Sequence, residues 1–370
     1  MALSYQDYQI QALQRPLVIP RVRDAIYGPE GSRCWRQYAS RIETINDETF
    51  NYPVLVSTMT GTPRARLGSP TISTSEHDPP ATQATTTQHY WDLTVNIHDD
   101  EVKQNQNAQA LANIVRTYSD RAALAARTFG EQYLCWTAEA TTYPSSLVDA
   151  ISGAGHGAVA QTYNGISTSD LPQWEAFTME CLHSTSNAYG VSPSFKNVQL
   201  LLSTMSLYNG KLPDEGYTHP TLWNTWADWV LDNDYKGFDR TGVRVDVGVG
   251  AIYVLGVPIY ADRYVPGSAY SSGKSTRALS LGYACYFIDW DSIHPYCASG
   301  MALQMGPQWL RPHDDFRIYN YIRYMGNVYC DNRRMNGVIY NIDPSQAETS
   351  WHQGGVYWGG SLVGGTAPTT

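Results

Sequence analysis

The chain has 370 residues, of which 42% are hydrophobic and only 16% charged, with a formal net charge of −9. That length leaves room for two or three compact units with a sizeable core. The acidic balance, with no Lys/Arg run, argues against gripping nucleic acid through a basic tail, since phosphate contacts need clustered cations; it is compatible with enclosing nucleic acid, and no apolar run reaches the length of a membrane span.

Residues 1–48 are mixed and weakly periodic. Arg15-Pro16 and Ile19-Pro20 are expected to break any helix, and Gly28-Pro29 and Glu30-Gly31 to turn the chain. The stretch reads as an arm with short helices that lies on its own body or on a neighbour's. Residues 50–98 form a long excursion. Tyr52 to Val56 is an outgoing strand, and Leu93, Val95 and Ile97 alternate with polar residues in a returning one. The polar segment between them is too long for a compact turn. It predicts a projecting two-stranded flap that rests on another molecule, with Arg64 and Arg66 towards its tip. Deleting residues 60–88 is expected to leave a folded subunit that fails to assemble.

Asp99 to Trp136 carries apolar or small residues at Ala108, Leu111, Val115, Tyr118, Ala122, Ala125, Phe129 and Tyr133, the spacing of one helical face. Asp99 and Asp100 can cap its first turn. A continuous helix here would be about 50 Å long at 1.5 Å per residue; the alternative is two helices broken at Ser119-Asp120, because Ser and Asp favour caps. Beyond the Ala/Gly/Ser-rich passage 144–168, Trp174 to Leu182 reads as a short helix. Ser194 can cap a helix bearing Phe195, Val198, Leu201, Leu202 and Met205, stopped at Asn209-Gly210. Tyr217-Thr218-His219 reads as a short strand and Pro220 as the first turn of a further helix. Val243 to Val265 and residues 279–342 are β in character, with turns at Asp331-Asn332 and Asn336-Gly337. The last stretch, from Ser350, is Gly-rich and expected to be floppy alone.

Chemistry-bearing patterns are weak. Gly248-Val249-Gly250 lacks a third glycine and a following helix, so it does not make a dinucleotide site. His98-Asp99-Asp100-Glu101 reads as a helix start, not a metal site. His156 has no readable nucleophile partner, and His294-Pro295 and His313-Asp314-Asp315 read as turn residues. No catalytic, cofactor or metal residues are assigned; an aromatic-lined polysaccharide hydrolase stays as the enzyme alternative, because Trp and Tyr line sugar clefts. The six cysteines, at 34, 135, 181, 285, 297 and 330, have no CxxC spacing, and the N-terminal residues lack a signal-peptide pattern. Reduced thiols and folding in the cytosol are expected. Twenty-seven Tyr and eleven Trp suit either an aromatic core or an extended contact surface.

Four segments in order resemble the major capsid proteins of tailed bacteriophages. They are GISTSDLPQWEAFT at 165–178, SFKNVQLLLSTMSLYNGKLPDEGYTHPTLWNTWADWV at 194–230, LGVPIYADRYVPGSA at 255–269 and FRIYNYIRYMGNVYCDNRRMNGVIYNI at 316–342. The resemblance spans about residues 50–345. It implies an α+β, HK97-type capsid fold. Residues 1–48 would be an N-terminal arm lying across neighbours and 49–98 an extended loop overlapping an adjacent subunit. Residues 99–140 would form the spine helix and peripheral domain, 141–305 the axial domain, 306–345 the return strands of the peripheral domain, and 346–370 a Gly-rich tail. Leu111, Val115, Tyr118 and Phe129 would form the spine-helix core; Arg64, Arg66 and Trp91 would be subunit contacts. The resemblance implies a non-enzymatic shell protein that assembles with itself as hexamers and pentamers. Portal, scaffolding and cement or decoration proteins would be its other partners. It would enclose double-stranded DNA without sequence-specific binding, in a virion assembled in the host cytoplasm, with no membrane and no cofactor. Residues 49–98 contain no Lys, so the covalent crosslinking of some family members should be absent, and scaffolding should be a separate protein or none. An encapsulin-like compartment shell shares the fold and remains the alternative.

Overall fold

The computed structural model describes residues 18–55, 81–104, 107–137, 144–151, 162–168, 171, 174–180, 195–234, 243–246, 250–266, 283–310, 317–342, 355–358 and 361–365. Helices α1 (Ile19–Tyr27) and α2 (Arg33–Ser40) come first, joined by a turn in which Gly31 N donates to Gly28 O. Pro20 does not break α1. It sits in the first turn, where its missing N–H has no partner to lose. Ser32 caps α2 by accepting from Trp35 N. Ile26, Trp35 and Tyr38 are fully buried, so this part of the expected arm belongs to the chain's own core; residues 1–17 lie outside the described set.

Strands β1 (Glu43–Thr44), β2 (Thr49–Leu55), β3 (Ala81–Thr87) and β4 (His89–His98) follow. β2 and β3 pair as an antiparallel ribbon from Thr49↔Thr87 to Leu55↔Ala81. Tyr52, Val54, Ala84 and Thr86 are buried, so the base of the flap rests on its own chain. The expected tip, with Arg64 and Arg66, lies outside the described residues.

The expected spine has neither of the anticipated forms. A six-residue helix α3 (Asp99–Gln104) is followed by a separate α4 (Ala108–Phe129). Asn107, in extended conformation, caps α4 by accepting from Gln109 N. α4 runs unbroken through Ser119-Asp120: Ser119 is buried, and Asp120 accepts from Arg21 Nε and Nη2 at 2.7 and 2.9 Å instead of capping a new helix. At Gly130 the helix widens into a π-turn, Gly130–Leu134.

Then come α5 (Leu147–Ile151), β5 (Thr162–Tyr163), β6 (Ile166–Ser167) and β7 (Phe177–Glu180). Of the helix expected at Trp174–Leu182, the described residues are 174–180, and Phe177–Glu180 among them form a strand. β7 lies parallel to a later strand, Phe177↔Gly337 to Tyr340, with Phe177 and Met179 fully buried; sheet pairing overrides local preference. Helices α6 (Phe195–Asn209) and α7 (Pro220–Asp234) bracket β8 (Glu215–Thr218), with Gly210 left-handed at φ +70° as the stop of α6. Strands β9 (Val243–Asp246), β10 (Ala251–Val254), β11 (Val257–Ala261), β12 (Tyr283–Ile288), β13 (Ile293–Met305), β14 (Arg317–Cys330), β15 (Gly337–Ile342), β16 (Gly355–Trp358) and β17 (Ser361–Gly365) complete the chain.

Among the described residues two main sheets form. One has the order β1-β13-β14-β4, the other β17-β16-β7-β15-β12-β8-β11-β10-β9. β4 alternates buried Val95 and Ile97 with exposed residues and pairs with β14 from Gly326↔His89 to Arg317↔His98; its inner face meets α4. α6 and α7 close one face of the large sheet, burying Phe195, Leu201, Leu202, Leu222 and Trp226 with Ile259 and Phe287. The sheets do not respect a division at residue 305. β13 (Ile293–Met305) joins the four-stranded sheet, and β15 (Gly337–Ile342) the nine-stranded one. His294 and Pro295 lie within β13 instead of a turn. Pro295 is tolerated because β1 flanks β13 only at Tyr296 and Cys297. Asn336-Gly337 opens β15 after a 3-10 turn at Arg333–Met335. The Gly-rich tail contributes a hairpin, β16–β17, that extends the large sheet beyond β7.

Candidate functional site: the joint at the end of α4 and the surfaces around it

The end of α4 is fixed by a buried polar joint. Gly130 lies against Trp35, whose Nε1 donates to Ile26 O at 2.9 Å. Glu131, one residue on, is buried; it accepts from Ser32 N at 2.7 Å and from Arg263 Nη2 at 3.2 Å. A second buried acid, Glu215 on β8, accepts from Arg33 Nε at 3.0 Å, from Trp290 Nε1 at 3.3 Å and from the Tyr217 hydroxyl. The Arg33 guanidinium also lies over the Tyr260 ring, 4.1 Å from its centroid. α2, the end of α4 and strands β8 and β11 are thereby locked through charge-assisted bonds from both sides. Asp262, buried just after β11, accepts from Tyr264 N at 3.1 Å, and burial pushes its carboxyl up. Cys34 and Cys135 are buried here and burial raises both thiols, the opposite of what a nucleophilic thiolate requires. This is rigid support, and its chemistry is structural.

Leu111, Val115 and Phe129 are buried as the spacing predicts, but the buried stripe continues through Ser119, Ala122, Ala123 and Ala126. Tyr118 sits on the flank, half-buried, with its hydroxyl donating to Glu101 Oε2 at 3.0 Å. The expected Ala125 is exposed. The stripe moved because a sequence reading rejects Ser at a core position, whereas α4 buries it. Trp91, expected at a subunit contact, stacks on Phe129 within the chain, with centroids 4.1 Å apart and planes 11° off parallel. On the outer face of the small sheet Tyr90 is 63% exposed, beside Met325 in the strand register, and Arg323 pairs with Asp92 at 3.1 Å while lying over Tyr321.

One acidic group escaped sequence reasoning. Asp214, Asp289 and Asp291 bring carboxylate oxygens within 4.8 Å of one another. Lys211 Nζ stands among them, 2.6 Å from Asp289, 2.9 Å from Asp291 and 3.6 Å from Asp214. These three carboxylates could hold a cation, but the ammonium already supplies the positive charge. Its hydrogen bonds lower the Asp291 carboxyl, and its own pKa is raised by Asp289 and Asp291. No sequence signal could have found the group, because two turns far apart in the chain build it. Of the His98 to Glu101 stretch, Glu101 accepts a hydrogen bond from the Tyr118 hydroxyl at 3.1 Å. Gly250 is a left-handed turn residue between β9 and β10.

No family model matches the chain, and no curated protein matches it. Solved structures do. The capsid asymmetric unit of cyanophage A-1(L) superposes with a TM-score of 0.59 at 15% identity, covering 85% of this chain and 94% of that one. The SrpI encapsulin of Synechococcus elongatus gives 0.48 at 12% identity over 95% and 100% of the two chains. The capsid of Myoviridae phage XM1 gives 0.48 at 10% over 84% and 92%. The chain therefore has the α+β, HK97-type capsid fold.

Proposed function

We propose that this chain is a shell-forming structural subunit, the major capsid protein of a tailed bacteriophage. It would assemble noncovalently as hexamers and pentamers around double-stranded DNA. The observation that carries the reading is the superposition on the cyanophage capsid subunit over most of both chains. The rigid joint supports it, because a shell subunit must hold its contact surfaces at fixed angles so that symmetric contacts close. A lattice multiplies modest interfaces into a stable particle.

In this reading the peripheral part follows the small sheet with α4, and the axial part follows the large sheet with α6 and α7. The β2–β3 ribbon carries the extended loop towards an adjacent subunit. Arg64, Arg66 and the half-buried Trp91 are proposed subunit contacts. Replacing both arginines by alanine should weaken assembly most at low salt, where ion pairs are least screened. Portal, scaffolding and cement proteins would be partners, in a virion assembled in the host cytoplasm; no enzymatic step is part of the role. The test is the content of purified particles. Nuclease-protected double-stranded DNA supports the phage shell. Particles that enclose a cargo protein and no DNA would make this an encapsulin-like compartment instead.

A further inference from the structure

His294 on β13 faces two carboxylates from two different elements. Its Nε2 is 3.4 Å from Asp331 Oδ2, just after β14, and its Nδ1 is 3.8 Å from Glu43 Oε1 on β1. The ring stacks on Tyr329 of β14, centroids 4.9 Å apart and planes 23° off parallel. Tyr329 in turn meets Tyr52 at 4.5 Å and Phe50 at 5.3 Å, at the base of the flap ribbon. β1 is short. It is held to β13 through the register Glu43↔Tyr296 and Thr44↔Cys297, followed by Ile45 N donating to Cys297 O at 3.0 Å. It also links the N-terminal helices to the flap.

A neutral imidazole carries one N–H and no charge; only the imidazolium presents an N–H and positive charge to both carboxylates, which lie at ion-pair distance. We propose that His294 is a proton-operated clasp. Protonated, it ties Glu43 of β1 to Asp331 at the end of β14; deprotonated, it releases β1 and loosens the flap base stacked beneath it.

The charged and titratable groups around it are Glu43 from β1, Asp331 and Tyr329 from the β14 end, and Asp291 from the turn before β13, which both His294 and Arg41 influence. The carboxylates dominate. The Asp331 hydrogen bond raises the imidazole pKa above its ordinary value, against the opposing effect of burial. A raised folded pKa means that the stabilisation is complete below the unfolded value and is lost as pH rises through the folded one. The clasp is closed in acid and opens on the alkaline side. Glu43 and Asp331 are 55% and 45% exposed, so salt should weaken it.

The test is hydrogen–deuterium exchange of the full chain by mass spectrometry from about pH 5 to about pH 9, reading both the His294 C2 proton and the backbone amides of residues 42–47. The expected result is a His294 midpoint above about 6.5, with amide exchange in 42–47, corrected for its intrinsic rate, rising several-fold across that midpoint. Glu43→Gln, which keeps the imidazole and removes one carboxylate, should lower the midpoint and flatten the response; His294→Gln should abolish it. A midpoint at or below the ordinary value, a Glu43→Gln midpoint equal to the parent's, or β1 exchange that ignores the midpoint would overturn the proposal. The parent and Glu43→Gln decide the matter even if His294→Gln fails to fold.

Discussion

Gly130 is a residue that the packing leaves no freedom to change. A Cβ there would lie 2.7 to 2.8 Å from ring atoms of Trp35, and Trp35 is itself buried and hydrogen-bonded to Ile26. Gly130→Ala should therefore lose about 1–3 kcal/mol through overpacking, seen as a lower urea midpoint with an unchanged slope. Gly250 makes the contrast. It has open space around it but a φ of +66°, so Gly250→Ala should lose about 1–2 kcal/mol from backbone strain alone. Ser119 should go the other way. It is buried in α4 with no hydrogen-bond partner for its hydroxyl, so Ser119→Ala removes an unmet polar group and should leave thermal stability unchanged or raise it by up to about 1 kcal/mol. A clear loss of stability would mean that the hydroxyl is bonded.

Elements differ in how legible they were, and the differences have physical causes. α6 and α7 could be read because Gly210 stops one and Pro220 starts the other, both strong local signals. The β4 strand could be read because one face of it is solvated. β7 could not, since its partners β15 and β16 come from far along the chain and no short window contains them. The break at Asn107 was missed because residues 99–107 contain no Pro or Gly to mark it, while the periodic residues, from Ala108 onwards, all lie beyond it. The polar joint was invisible for the same long-range reason: Ser32 and Arg263 meet Glu131, and Arg33 meets Glu215, only after folding. The buried face of α4 is tested at Leu111 and Val115. Leu111→Asp or Val115→Asp places an unpaired charge at a buried site, which costs several kcal/mol, and soluble folded subunit should be lost. An unchanged melting temperature would remove that face from the core.

For the whole molecule, the proposed role requires a rigid body that presents contact surfaces to copies of itself. The structure corrects the expected flap deletion. β3 runs from Ala81 to Thr87, and its Ala84 and Thr86 are buried, so removing residues 60–88 would damage the core together with the flap. Replacing residues 57–79 with a short Gly/Ser linker spares β2 and β3. That variant should give a subunit with parental circular dichroism and melting that forms no large particles; normal particles would detach the flap from assembly. The most direct measurement is the mass of the purified parent protein in solution by multi-angle light scattering. A shell subunit should give megadalton particles of uniform size, many times the 41.2 kDa chain. A stable monomer or dimer that forms nothing larger on prolonged concentration would contradict it.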